Sequence, residues 1–239
     1  YYPGCSLEAT GIEFHMSTQA IAEKLGLKLV EPEGWVCCGT SPAHNTDHYR
    51  SIKLPMQTLA IADEMGHRYM TMRCAACFSR FRIAMKEVEE DPELRKRIAD
   101  DIGYDYKGGI QVDNLLTTIT DKVGYEAAAR PVVRKLKGLK VACYYGCLLT
   151  RPPAVTGEEA YEYPTNMDRL MEALGAEAEG ELDQQGVEGV PVRGVRVSDE
   201  NRLQGTLGRC DGFPAEQREQ PGGDGLHHDC GVLLRVGLS

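Results

Sequence analysis

Along the first three quarters of the chain, apolar residues recur in two rhythms. Between residues 11 and 26, Ile12, His15, Ala22 and Leu25 stand among polar residues at helical spacing, and a glycine closes the segment; this predicts an amphipathic helix. Leu27, Leu29 and Val30 around Lys28 then read as a short strand. Further strands are expected at 68–72, 110–112 and 139–144, and Tyr1 to Gly4 resemble the end of one. Helices are expected over 46–66, 74–90, 91–102, 114–123 and 125–136. Asn45 or Thr46 would cap the first of these, and Pro55 would break or kink it. Alternation of strands with helices of this length is the pattern of an α/β fold with parallel pairing. The cysteines then fall in loops after strands, on the sheet edge where such folds hold ligands.

The chain also repeats itself. Tyr1-Tyr2-Pro3-Gly4-Cys5 is echoed by Tyr144-Tyr145-Gly146-Cys147, and Lys24-Leu25-Gly26-Leu27 by Ala173-Leu174-Gly175-Ala176. Two pseudo-symmetric halves follow, each a small parallel sheet flanked by helices, the first over 1–138 and the second opening at 139–178. Transferring the interval from Gly26 to Cys37 onto Gly175 places a second vicinal pair near residue 186, where the chain has Gly186-Val187. Residues 179–239 are rich in Gly, Arg, Gln and Asp without sustained periodicity and read as a divergent or poorly ordered tail.

Composition narrows the function classes. The chain has 239 residues, 42% hydrophobic, and 36 acidic against 27 basic residues give a net charge of −9. No basic stripe is present to neutralise phosphates, so nucleic acid is excluded as the expected partner. No apolar run reaches the roughly 18 residues of a membrane helix, and the first residues lack the stretches of a signal peptide, which predicts a soluble, cytoplasmic protein. Nine cysteines in a reducing compartment remain available for metals or catalysis.

Five of them cluster: Cys5, the vicinal pair Cys37-Cys38 before Gly39, and the C-x-x-C pair Cys74 and Cys77. A C-x-x-C turn at a helix start lets two thiolates converge, and the free N–H groups there favour negative sulfur. Vicinal side chains diverge on an extended backbone, so Cys37 and Cys38 most readily reach different metal atoms. Five thiols overfill a single tetrahedral zinc and suit an iron–sulfur cluster, with zinc on four of the five as the alternative. His44 and His48, one helical turn apart, are candidates to donate to sulfur or to act as ordinary surface residues. Arg73 and Arg151 flank the cysteine loops, either steering an anionic substrate or as solvated charge. Cys143 reads as a buried strand residue, and Met56, Met65, Met70, Met72 and Met85 as core filler.

The pattern formed by Cys5, Cys37, Cys38-Gly39, Cys74 and Cys77 resembles the CCG motif of cysteine-rich iron–sulfur subunits. The words around it, above all Tyr144 to Pro153, resemble the B-type subunit of heterodisulfide reductase over residues 1 to about 178. That resemblance implies a noncubane [4Fe-4S] cluster on Cys5, Cys37, Cys38, Cys74 and Cys77. Cys147 is then the first ligand of a second cluster, and the cysteine loops meet between the halves. It implies reductive cleavage of a disulfide, such as that of coenzyme M and coenzyme B, and partners of two kinds: a ferredoxin-like iron–sulfur subunit and a flavin-containing subunit. An electron-transfer subunit of a dehydrogenase or quinone reductase carries the same motif. The family's second vicinal pair and second C-x-x-C are absent, so the second cluster stays open: a degenerate copy and a shift of reading frame after about residue 178 both fit.

Overall fold

The computed structural model describes residues 1–5, 11–40, 42–178 and 235–237. Within them the chain is α/β, with two small sheets flanked by helices. The expectation for the 179–239 tail, with its Cys210 and Cys230, falls outside the described residues except for 235–237.

The first sheet pairs β1 (Tyr69–Met72) in parallel with β2 (Gln111–Asn114), Tyr69 opposite Gln111 and Met72 opposite Asn114. Two helices connect them, α4 (Ala75–Glu90) and α5 (Pro92–Ile102). On the other side of β1, Tyr2 adds a single parallel bridge to Met72. Before this sheet come α1 (Ile12–Lys24), α2 (Pro42–Thr46) and α3 (His48–Glu64). The core lies between α3, α4 and the sheet: Tyr2, Ile52, Met56, Leu59, Phe81, Met70, Met72 and Val112 are all essentially inaccessible. In α4 the buried Phe78, Phe81, Ala84 and Val88 recur at helical spacing, so one stripe faces α3 and β1.

Several elements depart from the pattern of the chain. Residues 27–30 form no strand: Leu27 and Leu29 are half-buried around an exposed Lys28, and the bond from Tyr1 N to the Val30 carbonyl at 2.7 Å is not extended into a ladder. The helix expected over 46–66 is α3, and its cap is Asp47, which accepts from Arg50 N at 3.0 Å, in place of Asn45 or Thr46, which belong to α2. Pro55 does not break α3; it deletes one backbone donor, and the buried Ile52, Met56 and Leu59 on the same face hold the flanking turns in place. Met65 is 44% exposed and is no core filler.

The second sheet has β3 (Lys140–Ala142) at its centre, parallel to β4 (Glu177–Ala178) and antiparallel to β5 (Arg235–Gly237). Between the sheets, the helical expectation at 114–123 resolves into α6 (Leu115–Thr117) and a π-helical turn at Thr118–Val123. The helix expected at 125–136 is only α7 (Tyr125–Ala129): Arg130 keeps helical dihedrals, but Pro131 has no N–H with which to continue the ladder. Short helices α8 (Cys147–Thr150) and α9 (Pro153–Thr156) follow β3, and α10 (Asn166–Ala173) leads into β4. Val141, Cys143, Tyr145, Met167 and Ala176 form a second core cluster. Both α8 and α9 pack against α4, and Arg82 of α4 donates Nε to the Val155 carbonyl at 2.7 Å. Among the described residues no helix is long and apolar enough to cross a membrane.

Candidate functional site

Three segments bring the five clustered cysteines together. The first is the N-terminal stretch, where Tyr2 N donates to the Thr71 carbonyl at 2.9 Å, so Cys5 leaves the sheet beside the exit of β1. The second is that exit itself: Cys74 occupies the N-cap position of α4 and Cys77 lies in its first turn, which puts both thiols at the helix end that favours negative charge. The third is the loop ahead of α2. Its Val36 is pinned from both sides: the carbonyl accepts from Tyr2 Oη at 2.9 Å, and the N–H donates to Thr58 Oγ1 at 3.2 Å. Trp35 meets the Tyr2 ring edge-on with 5.1 Å between centroids. Gly39, at φ +77°, then turns the chain sharply into α2.

The thiols arrive in two sets. Cys5 Sγ lies 3.6 Å from Cys37 Sγ, toward solvent. Cys38 Sγ and Cys77 Sγ share a hydrogen bond across 3.3 Å in the interior, and Cys77 is also hydrogen-bonded to Cys74. The vicinal cysteines thus turn to different sets, as diverging neighbours must. The Gly39 N–H donates to Cys37 Sγ at 3.5 Å, and Cys38 Sγ is 3.2 Å from Thr40 Oγ1. A Cβ built on Gly4 would stand 3.3 Å from Cys77 Sγ, so the N-terminal backbone itself walls the site.

These contacts divide the thiols electrostatically. The hydrogen bond shared with Cys77, with help from Thr40 and against burial, draws Cys38 down to about 6. The same bond holds the Cys77 proton in place and pushes its pKa up, with Cys74 and burial acting in the same direction. Burial outweighs the Gly39 N–H at Cys37 and pushes it up to about 11. Tyr2, buried amid Cys5, Cys37, Cys38 and Cys77, has its hydroxyl pushed well up, first by burial and then by those thiols. Among the described residues no three His, Cys, Asp or Glu side chains surround a single ion position. Five soft sulfur donors in two sets are the donor chemistry of a group with several metal atoms, and they fit an iron–sulfur cluster.

The other candidates are placed differently. Cys147 opens α8 and is exposed; among the described residues no thiol contact joins it to the five, although its helix packs on the one that carries Cys74 and Cys77. His44 Nδ1 receives a hydrogen bond from Arg80 at 2.8 Å, and His48 pairs with Glu87 at 2.8 Å, so both ring systems engage α4 side chains. The Arg80 charge holds His44 below the ordinary imidazole range. Arg151 is exposed, 5.8 Å from the Tyr161 ring centroid. Cys143 is buried as expected, at 2% exposed, but lies one residue past the end of β3, and burial together with Asp168 pushes it up to about 12. Tyr2, Thr40 and Arg80 surround the thiols without having been signalled as site residues. Thr40 adjoins the Cys37-Cys38-Gly39 word, but Tyr2 and Arg80 reach the site only through the fold.

Residues 1–82 match the cysteine-rich CCG domain. Over 179 residues the chain is 34% identical to the 8-methylmenaquinol:fumarate reductase membrane anchor subunit of Wolinella succinogenes, covering 74% of this chain and 62% of that protein. It is 26% identical over 181 residues to the B-type subunit of the ferredoxin/F420H2-dependent CoB-CoM heterodisulfide reductase of Methanosarcina acetivorans, covering 74% and 60%. For the B-type subunit of the ferredoxin:CoB-CoM heterodisulfide reductase of Methanosarcina mazei the identity is 24% over 172 residues, covering 70% and 56%. The chain spans about three fifths of the length of these curated relatives. All five cysteines of the site lie within residues 1–82, so the chain carries its thiols in a cysteine-rich CCG domain and is similar to the B-type subunits of heterodisulfide reductase.

Proposed function

We propose that this chain is the catalytic iron–sulfur subunit of a heterodisulfide-reductase-type complex, with Cys5, Cys37, Cys38, Cys74 and Cys77 holding a noncubane [4Fe-4S] cluster. The observation that carries the reading is the split convergence of the thiols: Cys5 with Cys37, and Cys38 with Cys77 and Cys74, across loops far apart in the chain. When bound, the cluster supplies single-electron steps and iron positions with affinity for thiolate sulfur. The overall reaction takes R–S–S–R′, two electrons and two protons to RSH and R′SH.

The chain's own part is to hold ligands and shape the entrance. Cys38, drawn toward the thiolate by Cys77 and Thr40, is the prepared ligand in the interior. Cys5 is exposed and Cys37 half-buried, so this outer pair faces the side from which a disulfide arrives. In this reading residues 1–138 are one CCG half and 139–178 open the other, with Cys147 on α8 as the first thiol of a second site. Electrons come from a ferredoxin-like iron–sulfur subunit and a flavin-containing subunit.

The 34% identity to a menaquinol:fumarate reductase subunit supports a second reading, in which the same cluster passes electrons in a quinone-linked complex. The test is iron, acid-labile sulfide and zinc per chain after anaerobic purification, followed by disulfide reduction with a reduced viologen as donor. About four irons with matching sulfide, and disulfide turnover, are expected. Iron and sulfide with quinol oxidation but no disulfide turnover would transfer the assignment to the second reading. Zinc without sulfide would refute both.

A further inference from the structure

Arg73 links the last residue of β1 to Cys74, and it is 6% exposed. Its guanidinium lies 5.2 Å from the Tyr1 ring centroid and 5.2 Å from that of Phe14. Nη2 meets Nδ1 of His15 at 3.2 Å, and that imidazole nitrogen is 3.3 Å from Tyr1 Oη. Nε and Nη1 are buried with no hydrogen-bond partner, and among the described residues no carboxylate pairs with this cation. The groups that interact with it electrostatically are the Tyr1 hydroxyl and the Cys74 thiol. Arg80, the other guanidinium near the thiols, differs: it is bonded to His44 and has Glu87 as well as Cys38 to balance it.

A buried guanidinium without a counter-ion is costly, and two aromatic faces return only part of what it loses in leaving water. Among the described residues the groups that can carry a compensating negative charge lie at Tyr1 and Cys74, and only the thiol site beside Cys74 can hold one in the working protein. Thiolates holding an iron–sulfur group supply that charge, and they become more negative when that group is reduced.

We propose that Arg73 is the counter-charge of the thiolate site, a positioning residue that favours the reduced state of the bound group and so raises its reduction potential. The proposal rests on the iron–sulfur reading of the site and is independent of which substrate takes the electrons. Tyr1 and Phe14 screen the charge from water, so it acts at low local dielectric, where one nearby charge shifts a redox equilibrium most.

The experiment is a redox titration of the full anaerobic chain followed by electron paramagnetic resonance, with iron and sulfide measured on each sample. Arg73→Met is expected to lower the reduced-to-oxidised ratio at fixed ambient potential at least tenfold, which is 59 mV for a one-electron couple. Arg73→Lys should retain most of the wild-type potential. His15→Glu sets a carboxylate beside the guanidinium without removing it and should shift the potential in the same direction, whereas His15→Gln should not. An Arg73→Met chain with wild-type iron and an unchanged midpoint overturns the proposal. If that variant does not fold, a loaded His15→Glu chain with an unchanged midpoint does so. A wild-type chain free of iron and sulfide overturns this proposal and the cluster reading together. Full loading with the expected shifts but no disulfide turnover overturns only the proposed catalytic function.

Discussion

Gly39→Ala puts the turn that orients Cys37 and Cys38 to a direct test. At φ +77° a side chain pays for left-handed backbone, about 1–2 kcal/mol. The added Cβ would also stand 3.0 Å from Ala43 Cβ and 3.0 Å from Leu54 Cδ1. Leu54 can rotate its methyl away. Ala43 cannot, because its Cβ is fixed to the α2 backbone, and the loop cannot retreat while the Gly39 carbonyl accepts from Ala43 N and His44 N at 3.1 Å each. Crowding of this kind costs a further ~1–3 kcal/mol. Gly26 is the control: its φ of +69° is similar, but nothing lies within 4 Å of the position its Cβ would take, so Gly26→Ala carries the backbone cost alone. In urea unfolding, with a slope of about 1–3 kcal/mol per molar, Gly39→Ala should melt on the order of 1 M below Gly26→Ala. Iron per chain should also fall in Gly39→Ala and stay at the wild-type level in Gly26→Ala. Equal midpoints and equal iron in the two variants would show that the turn is not packed as described.

Three further outcomes are expected. In the chain stripped of iron, the folded pKa of Cys38 lies near 6 and its unfolded value near 9, so its contribution to stability is present above pH 9 and is lost as pH falls toward 6. Cys37, raised to about 11, acts in the opposite sense only above pH 9. The unfolding midpoint should therefore rise between pH 6 and 9 and lose that rise in Cys38→Ser, and equal slopes in the two chains would contradict the assignment. Phe81→Ala, which removes a fully buried ring 4.8 Å from the Tyr2 ring, should cost about 3–5 kcal/mol in the same assay, and a loss below about 1 kcal/mol would mean that the α4 stripe is not the core. Tyr145→Phe removes a hydroxyl that donates to Asp168 Oδ2 at 2.8 Å and accepts from Met167 N at 2.6 Å. It should cost about 1–3 kcal/mol while leaving iron unchanged, and a loss of iron would show that the second core supports the thiols directly.

The parts of the site legible in the chain were those whose spacing is local. A C-x-x-C at a helix start and a vicinal pair before glycine fix their own geometry within a few residues, so Cys37, Cys38, Cys74 and Cys77 fall where the pattern puts them. Arg73 reads as a flanking charge in the sequence because nothing local distinguishes it from a solvated arginine; the fold encloses it by bringing up Tyr1 and, on α1, Phe14 and His15. His44 and His48 have thiol-facing spacing but meet Arg80 and Glu87, since α4 presents those side chains along the same face. Residues 27–30 show the limit of alternation as a signal: half-burial on one side of an irregular segment has the same period as a strand. Pro55 shows the converse, a local breaker overruled by the burial of its neighbours.

The bridge between Tyr2 and Met72 has a kinetic consequence. The segment that carries Cys5 is separated in the chain from its sheet partner by the whole of α1, α2 and α3, whereas Cys74 and Cys77 lie within one or two turns of the strand they follow. Closing so large a loop is slow relative to forming a helix turn. During synthesis or refolding, the C-x-x-C end of the site therefore exists before Cys5 reaches it. A metal donor would meet an open, partly liganded cradle, and docking of the segment that carries Cys5 would be the step that shuts it.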